Sequence, residues 1–191
     1  MVGYGVLAVV LGFGALAEVP LRLGIEALAD GDTDRAADRF ATARALRPWD
    51  LDVDTVVGHA YAAAATARTA DAAERARRHA TRALQRLPDS VEVRADLASA
   101  YEALGDFTTA ARYLDEALRR DPYNTHLLLQ RGVVAARAND PGTAERLFLR
   151  VADLRPDSPA PWRNLERLYR EQQRAADTAR AAARATELEG R

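Results

Sequence analysis

The sequence predicts an all-α protein: a right-handed α-solenoid of about five helix–turn–helix repeats, preceded by an apolar N-terminal helix. Three observations carry this expectation. Apolar residues recur at three and four, as in Trp162, Leu165 and Tyr169 or Ala110, Leu114 and Ala117, which gathers them on one face of a helix. The chain of 191 residues is 48% hydrophobic and holds 42 alanines, with no cysteine. Four prolines, Pro48, Pro88, Pro122 and Pro156, punctuate it at intervals of 40, 34 and 34. A single helix pair cannot bury its own apolar face, whereas stacked pairs can.

Residues 1–17 stand apart. They carry no charge before Glu18. About 17 apolar residues is the lower limit for crossing a bilayer core. No basic stretch of the signal-peptide kind precedes the run. The glycines Gly3, Gly5, Gly12 and Gly14 weaken a soluble helix but suit close packing between membrane helices. This segment is expected to anchor the chain at a membrane; the alternative is a packed cap on the first repeat. Residues 18–191 form the repeat domain.

Each unit then follows one pattern. Leu23-Gly24, Ala27, Gly31-Asp32, Ala36, Phe40 and Ala43 lead to Pro48. Val57-Gly58 and Tyr61 open the unit that ends at Pro88. That unit carries about six extra residues before Ala76, Ala80 and Ala83, so its first helix or its turn is expected to be longer. Leu97-Ala98, Tyr101, Gly105-Asp106, Ala110, Leu114 and Ala117 lead to Pro122. Arg131-Gly132, Ala135, Asn139-Asp140, Ala144, Phe148 and Ala152 lead to Pro156. Trp162, Leu165 and Tyr169 open a last unit that runs through Ala182 and Ala185. The small residue at Gly24, Gly58, Ala98 and Gly132 is expected to let two helix backbones approach, with Phe40, Leu114 and Phe148 filling the space beyond. Tyr101, Leu114, Phe148 and Trp162 are expected in the core. Asp106 and Asp140 are placed to cap second helices, with Pro141 at a first helical position. Asp50, Ser90, Asn124 and Ser158 are placed to cap first helices.

This pattern resembles the tetratricopeptide repeat (TPR) family, whose 34-residue unit reads W-x2-L-G-x2-Y … A-x3-F … P. The resemblance covers residues 18–191. Two positions depart: Ala98 and Glu166 stand where the family has glycine. The charge at Glu166 implies looser packing or the end of the array.

Composition removes several functions. Net charge is −1, with 27 Lys+Arg against 28 Asp+Glu, so nothing favours a nucleic-acid partner. All 27 cations are arginine; Schiff-base and phosphate-loop lysines are therefore out of consideration. His59 and His126 fall two repeats apart, about 20 Å at the usual helix spacing. His79 sits in an Arg-rich second helix and is expected to be solvated. No H-E-x-x-H, Gly-rich phosphate loop or G-x-S-x-G occurs. The expectation is no enzyme, no cofactor, no metal and no small-molecule substrate.

The resemblance implies a protein or peptide partner held in the concave groove of the first helices. The family's groove positions fall on Asp52, Thr55 and His59 in the second unit. In the third they fall on Glu92, Ala95, Asp96, Ser99 and Glu102, and in the fourth on His126, Leu129, Gln130, Val133 and Arg137. In the last they are Arg163, Arg167 and Arg170. The lack of lysine, with Glu92 and Asp96 in the groove, argues against the Lys/Asn/Arg clamp by which some family members bind chaperone C-termini. Arg163, Arg167, Arg170 and Arg174 make one stripe on the last first-helix, suited to carboxylates or else paired with Glu166 and Glu171 of the same helix.

The leading expectation is a non-enzymatic interaction scaffold tethered to a membrane, with a cytoplasmic location as the alternative. A second reading comes from Ala43-Arg44-Ala45-Leu46-Arg47-Pro48-Trp49-Asp50, so close behind the apolar start. That run resembles the junction in bacterial O-antigen ligase-like membrane proteins. It implies the soluble tail of a glycan-transferring enzyme whose active site is outside this chain. A third is self-assembly through the apolar start.

Overall fold

The computed structural model describes residues 18–48, 50, 52–65 and 70–190, and every regular element among them is helical. The apolar segment 1–17, with its expected helix, lies outside the described residues. Among the described residues no helix is long and apolar enough to cross a membrane. The chain forms two compact units that divide between Leu104 and Gly105. The first holds α1 (18–29), α2 (Thr33–Leu46), α3 (Asp52–Ala65), α4 (Ala70–Arg86) and α5 (Val91–Ala103). The second holds α6 (Phe107–Arg120), α7 (Thr125–Arg137), α8 (Pro141–Leu154), α9 (Ala160–Glu171) and α10 (Ala175–Glu189). Pro48, Pro88, Pro122 and Pro156 all lie between helices, as their spacing predicts.

Four of the turns inside the repeats share one device. Two residues past a first helix the backbone turns left-handed, at Gly31 (φ 80°), Gly105 (φ 81°), Asn139 (φ 60°) and Gln173 (φ 59°). The next N–H reaches back to close the helix: Asp32 to Ala27 O, Asp140 to Ala135 O and Arg174 to Tyr169 O, each at 2.9 Å. Aspartate then starts the second helix. Asp32, Asp106 and Asp140 accept from the N–H groups of Arg35, Thr109 and Thr143 at 2.9, 3.0 and 3.1 Å. Ser90 and Asn124 cap α5 and α7 in the same way, and Asp50 accepts from Asp52 N–H at 2.9 Å. Ser158 does not cap α9. That helix starts behind Pro159, which offers no side-chain acceptor.

The cores are small-residue cores. In the first unit Phe40, Val57 and Tyr61 pack with Ala27, Ala36, Ala62 and Ala76. In the second, Phe148, Leu165, Leu168 and Tyr169 pack with Ala135, Ala144 and Ala181. The small position works differently from the expectation. A Cβ built on Gly24 would lie 2.7 Å from Phe40 Cδ1, and one on Gly132 would lie 2.8 Å from Phe148 Cδ1. Those glycines make room for a ring. Only at Gly58, opposite Ala80, does backbone come close: the nearest atom to such a Cβ is Ala80 N at 3.3 Å.

Four other expectations are corrected or refined. Three of the extra residues of the second unit lengthen its second helix: α4 has 17 residues where α2, α6 and α8 have 14. Leu114 and Phe148 are buried as expected. Tyr101 is only half-buried, its hydroxyl drawn to the Arg77 guanidinium, and Trp162 is half-buried at the margin of the second core. His79 is not solvated. It stacks on Tyr61 with ring centroids 5.8 Å apart, and its Nδ1 lies 3.2 Å from buried Asp54.

Candidate functional site

The first helices α1, α3 and α5 of the first unit present a groove of about 680 Å³. Ile25, Leu28 and Ala29 of α1 form one side, and Val56, Ala60, Ala63 and Ala64 of α3 form the base. Thr55 and His59 of α3 meet Glu92 and Asp96 of α5 at the polar end. Spacing explains the surface. Residues 56, 60 and 63 or 64 share a face of α3, and alanine there leaves a concavity between Ile25 and α5. Ile25 and Val56 are large apolar residues left 45% and 39% exposed.

The polar end is tied together by one bond. His59 Nδ1 lies 2.9 Å from Asp96 Oδ1, linking α3 to α5. Asp96 is buried, and burial pushes its carboxyl above the usual carboxylate range. The His59 ring is exposed and counteracts that shift. Thr55 Oγ1 is buried against the groove with no hydrogen-bond partner among the described residues. Glu92 is exposed and accepts from Ser90 Oγ at 3.0 Å. Of the sequence-expected groove residues in this unit, Thr55, His59, Glu92 and Asp96 come together. Asp52 is exposed in the first turn of α3, away from the lining, while Ser99 and Glu102 are half-buried farther along α5.

In the second unit the expected residues have varied surroundings. Leu129 and Val133 are half-buried against the core that contains Phe148 and Leu165. Gln130 is half-buried, and His126 is exposed in the first turn of α7. Arg137 lies over the Phe107 ring, 4.9 Å from its centroid. The expected stripe is broken: Arg163, Arg167 and Arg170 lie on α9, whereas Arg174 falls past the left-handed turn at Gln173, at the start of α10. These arginines are largely met by carboxylates. Arg163 pairs with Glu189 and Glu166, Arg170 with Glu166, and Arg174 with Glu145 and Asp177. Arg167 donates to Asn164 Oδ1 at 3.0 Å. Glu166, in the small-residue position, is held by arginines one turn to either side. Among the described residues no group of three or more His, Asp or Glu is arranged to hold a metal ion.

The family pattern for the tetratricopeptide repeat matches residues 67–124 and 103–169, more than half of the chain. The chain belongs to the tetratricopeptide repeat family. Solved structures share its fold. A thermophilic TPR protein of Thermus thermophilus is 25% identical, with 90% of this chain and 91% of that one aligned at a TM-score of 0.68. PilW, a type IV pilus biogenesis factor, is 18% identical over 92% of this chain and 79% of its own, at 0.72. PilF of Pseudomonas aeruginosa is 15% identical over 92% of this chain and 78% of its own, at 0.68. Comparison with curated proteins by sequence returns no match. None of these likenesses supports kinship with O-antigen ligase-like membrane proteins.

The TPR groove positions carried over begin in the second unit and fall there on Asp52, Thr55 and His59, which leaves out α1 and the apolar base of α3. Ile25, Val56, Ala60, Ala63 and Ala64 were the missed residues. The signal was present in two places: the run Ala62-Ala63-Ala64-Ala65, too small to fill a helix interface, and Ile25 on a first helix whose core face is already supplied by Ala27 and Leu28.

Proposed function

We propose that this TPR protein is a non-enzymatic scaffold that takes the apolar face of a peptide or protein partner on the α1–α3–α5 groove, and that residues 1–17 tether it to a membrane. One observation carries the docking site: a groove of about 680 Å³ whose exposed side chains include Ile25 and Val56. Apolar surface rimmed by polar groups marks interaction sites. His59 and Asp96 at the end of the groove give the partner one fixed polar contact and so a register. The uncharged run before Glu18 supports the tether.

A photo-crosslinker placed at Val56 should trap a discrete partner in cells, and one at Arg119 should not. Ile25→Asp in the chain that carries the crosslinker at Val56 should abolish the adduct while shifting stability by no more than about 0.5 kcal/mol, since Ile25 is exposed. Equal trapping from both positions would sink the groove reading. Deleting residues 1–17 should move the chain from the membrane fraction to the supernatant; an unchanged distribution would remove the tether.

A further inference from the structure

A second concavity of the first unit uses another face of α3. The second helices α2 and α4 are separated by a cleft of about 490 Å³, with Phe40, Val57 and Tyr61 in its floor. Every charged side chain lining it is cationic: Arg44 from α2, and Arg75, Arg78 and Arg82 from α4. The rest of the α2 wall is Ala37, Ala41 and Ala45.

Part of this charge is met inside the unit. Buried Asp54 pairs with Arg44, His79 and Arg86. Asp71 and Asp34 take Arg75 at 2.7 and 2.8 Å. Arg78 and Arg82 form no hydrogen bond and no ion pair with any described residue, and both are exposed. The excess is felt by its neighbours. Burial first, then Arg82 and Arg86, lowers the affinity of Arg44 for its proton; burial first, then the surrounding arginines, lowers that of His79. Asp71 and Glu74 act on Arg78 only from beyond ion-pair distance. Four guanidiniums at one cleft, two of them in direct contact with no carboxylate, is an arrangement that an anionic partner relieves.

We propose that the α2–α4 cleft grips an acidic peptide segment in extended form, its carboxylates on Arg78 and Arg82. Arg78 and Arg82 are four residues apart on α4, a rise of about 6 Å. Alternate residues of an extended chain are about 6.6 Å apart and point the same way. Acidic side chains at such positions meet the arginine wall, and the residue between them turns to the alanine wall of α2. An apolar residue there completes the fit. The site is distinct from the α1–α3–α5 groove and does not depend on it.

Fluorescence anisotropy tests this with the fluorescein-labelled peptide Asp-Leu-Asp-Leu-Asp-Leu and its Asn-for-Asp counterpart. The parent chain should bind the acidic peptide, more weakly as salt rises from about 50 to about 500 mM, and should ignore the Asn peptide. Arg78→Glu with Arg82→Glu should weaken binding about tenfold or more, with helical circular dichroism intact. Arg78→Gln with Arg82→Gln should weaken it less, and supplies the answer if the charge reversal disturbs folding. Ile25→Asp with Val56→Asp should leave it unchanged, which separates this site from the groove. The proposal falls if the parent does not bind, if the Asn peptide binds equally, or if the Gln pair binds like the parent. Tighter binding of a labelled oligothymidylate would overturn the assignment to a peptide.

Discussion

Replacing Gly132 by alanine tests the packing of the second unit most directly, because two effects of opposite sign compete. In a helix interior alanine is favoured over glycine by about 1 kcal/mol. At this position the new Cβ would lie 2.8 Å from Phe148 Cδ1 and within 3.0 Å of Cζ. Phe148 is 1% exposed, so its ring has nowhere to retreat without disturbing neighbours. Overpacking of this kind costs about 1–3 kcal/mol. The expected net effect of Gly132→Ala is a loss of about 1 kcal/mol, read as a lower urea midpoint at constant slope. Gly142 supplies the control of opposite sign. It is also helical, but a Cβ there meets nothing nearer than Asp140 Oδ1 at 3.9 Å, so Gly142→Ala should be neutral or stabilising. Phe148→Leu in the Gly132→Ala background should recover stability, and the double-mutant cycle should show a coupling of about 1 kcal/mol. A Gly132→Ala midpoint raised as far as that of Gly142→Ala would refute the packing described for Phe148.

Three further outcomes follow from the turns and from one buried ring. Gln173 adopts φ 59° without being glycine. Gln173→Gly should therefore stabilise the second unit by about 1 kcal/mol, and a destabilised variant would contradict the left-handed turn. Asn124→Ala should cost about 1 kcal/mol because Asn124 accepts from Leu127 N–H, whereas Ser158→Ala should cost almost nothing; equal losses in thermal unfolding would contradict the difference in caps. Burial, then the arginines around it, hold His79 down from 6.5 to about 4. The folded chain thus binds this proton less readily than the unfolded one. The contribution is fully present above about pH 6.5 and is lost as pH falls toward 4. The urea midpoint should fall between pH 7 and pH 5, and His79→Gln should flatten part of that fall. An unchanged slope in the variant would show that His79 takes no part.

Most of the fold was legible because it rests on local rules. Proline spacing, helical periodicity and aspartate caps each act within a few residues, and they placed the helices and turns. The failures share a different cause. Ser158 looks like a cap until the Pro159 behind it is seen to take the cap position. His79 looks solvated among Arg75, Arg77, Arg78 and Arg82, yet Tyr61 and Asp54 on α3 claim its ring across the helix interface. The arginine stripe looks continuous and available, yet Glu189 at the end of α10 reaches Arg163, and Arg174 falls outside α9, where Glu145 on α8 takes it. Of the candidate site, His59 and Asp96 are two separate positions in the sequence; their bond joins residues 37 apart. The apolar base escaped because alanine shapes a groove by what it omits, and omission leaves little periodic signal.

The fit between a glycine and a ring also constrains how such a unit can change over generations. By the 34-residue period, Ala98 and Leu114 occupy the positions of Gly132 and Phe148. A unit with the glycine–phenylalanine combination reaches the alanine–leucine one in two single-base steps. The order matters. If the ring is lost first, the intermediate has a little empty space, which a core of alanines tolerates. If the methyl arrives first, the intermediate must hold two groups in one volume. Mutational traffic between the two kinds of repeat is therefore one-way at its first step, and the reverse conversion must give up the methyl before it gains the ring.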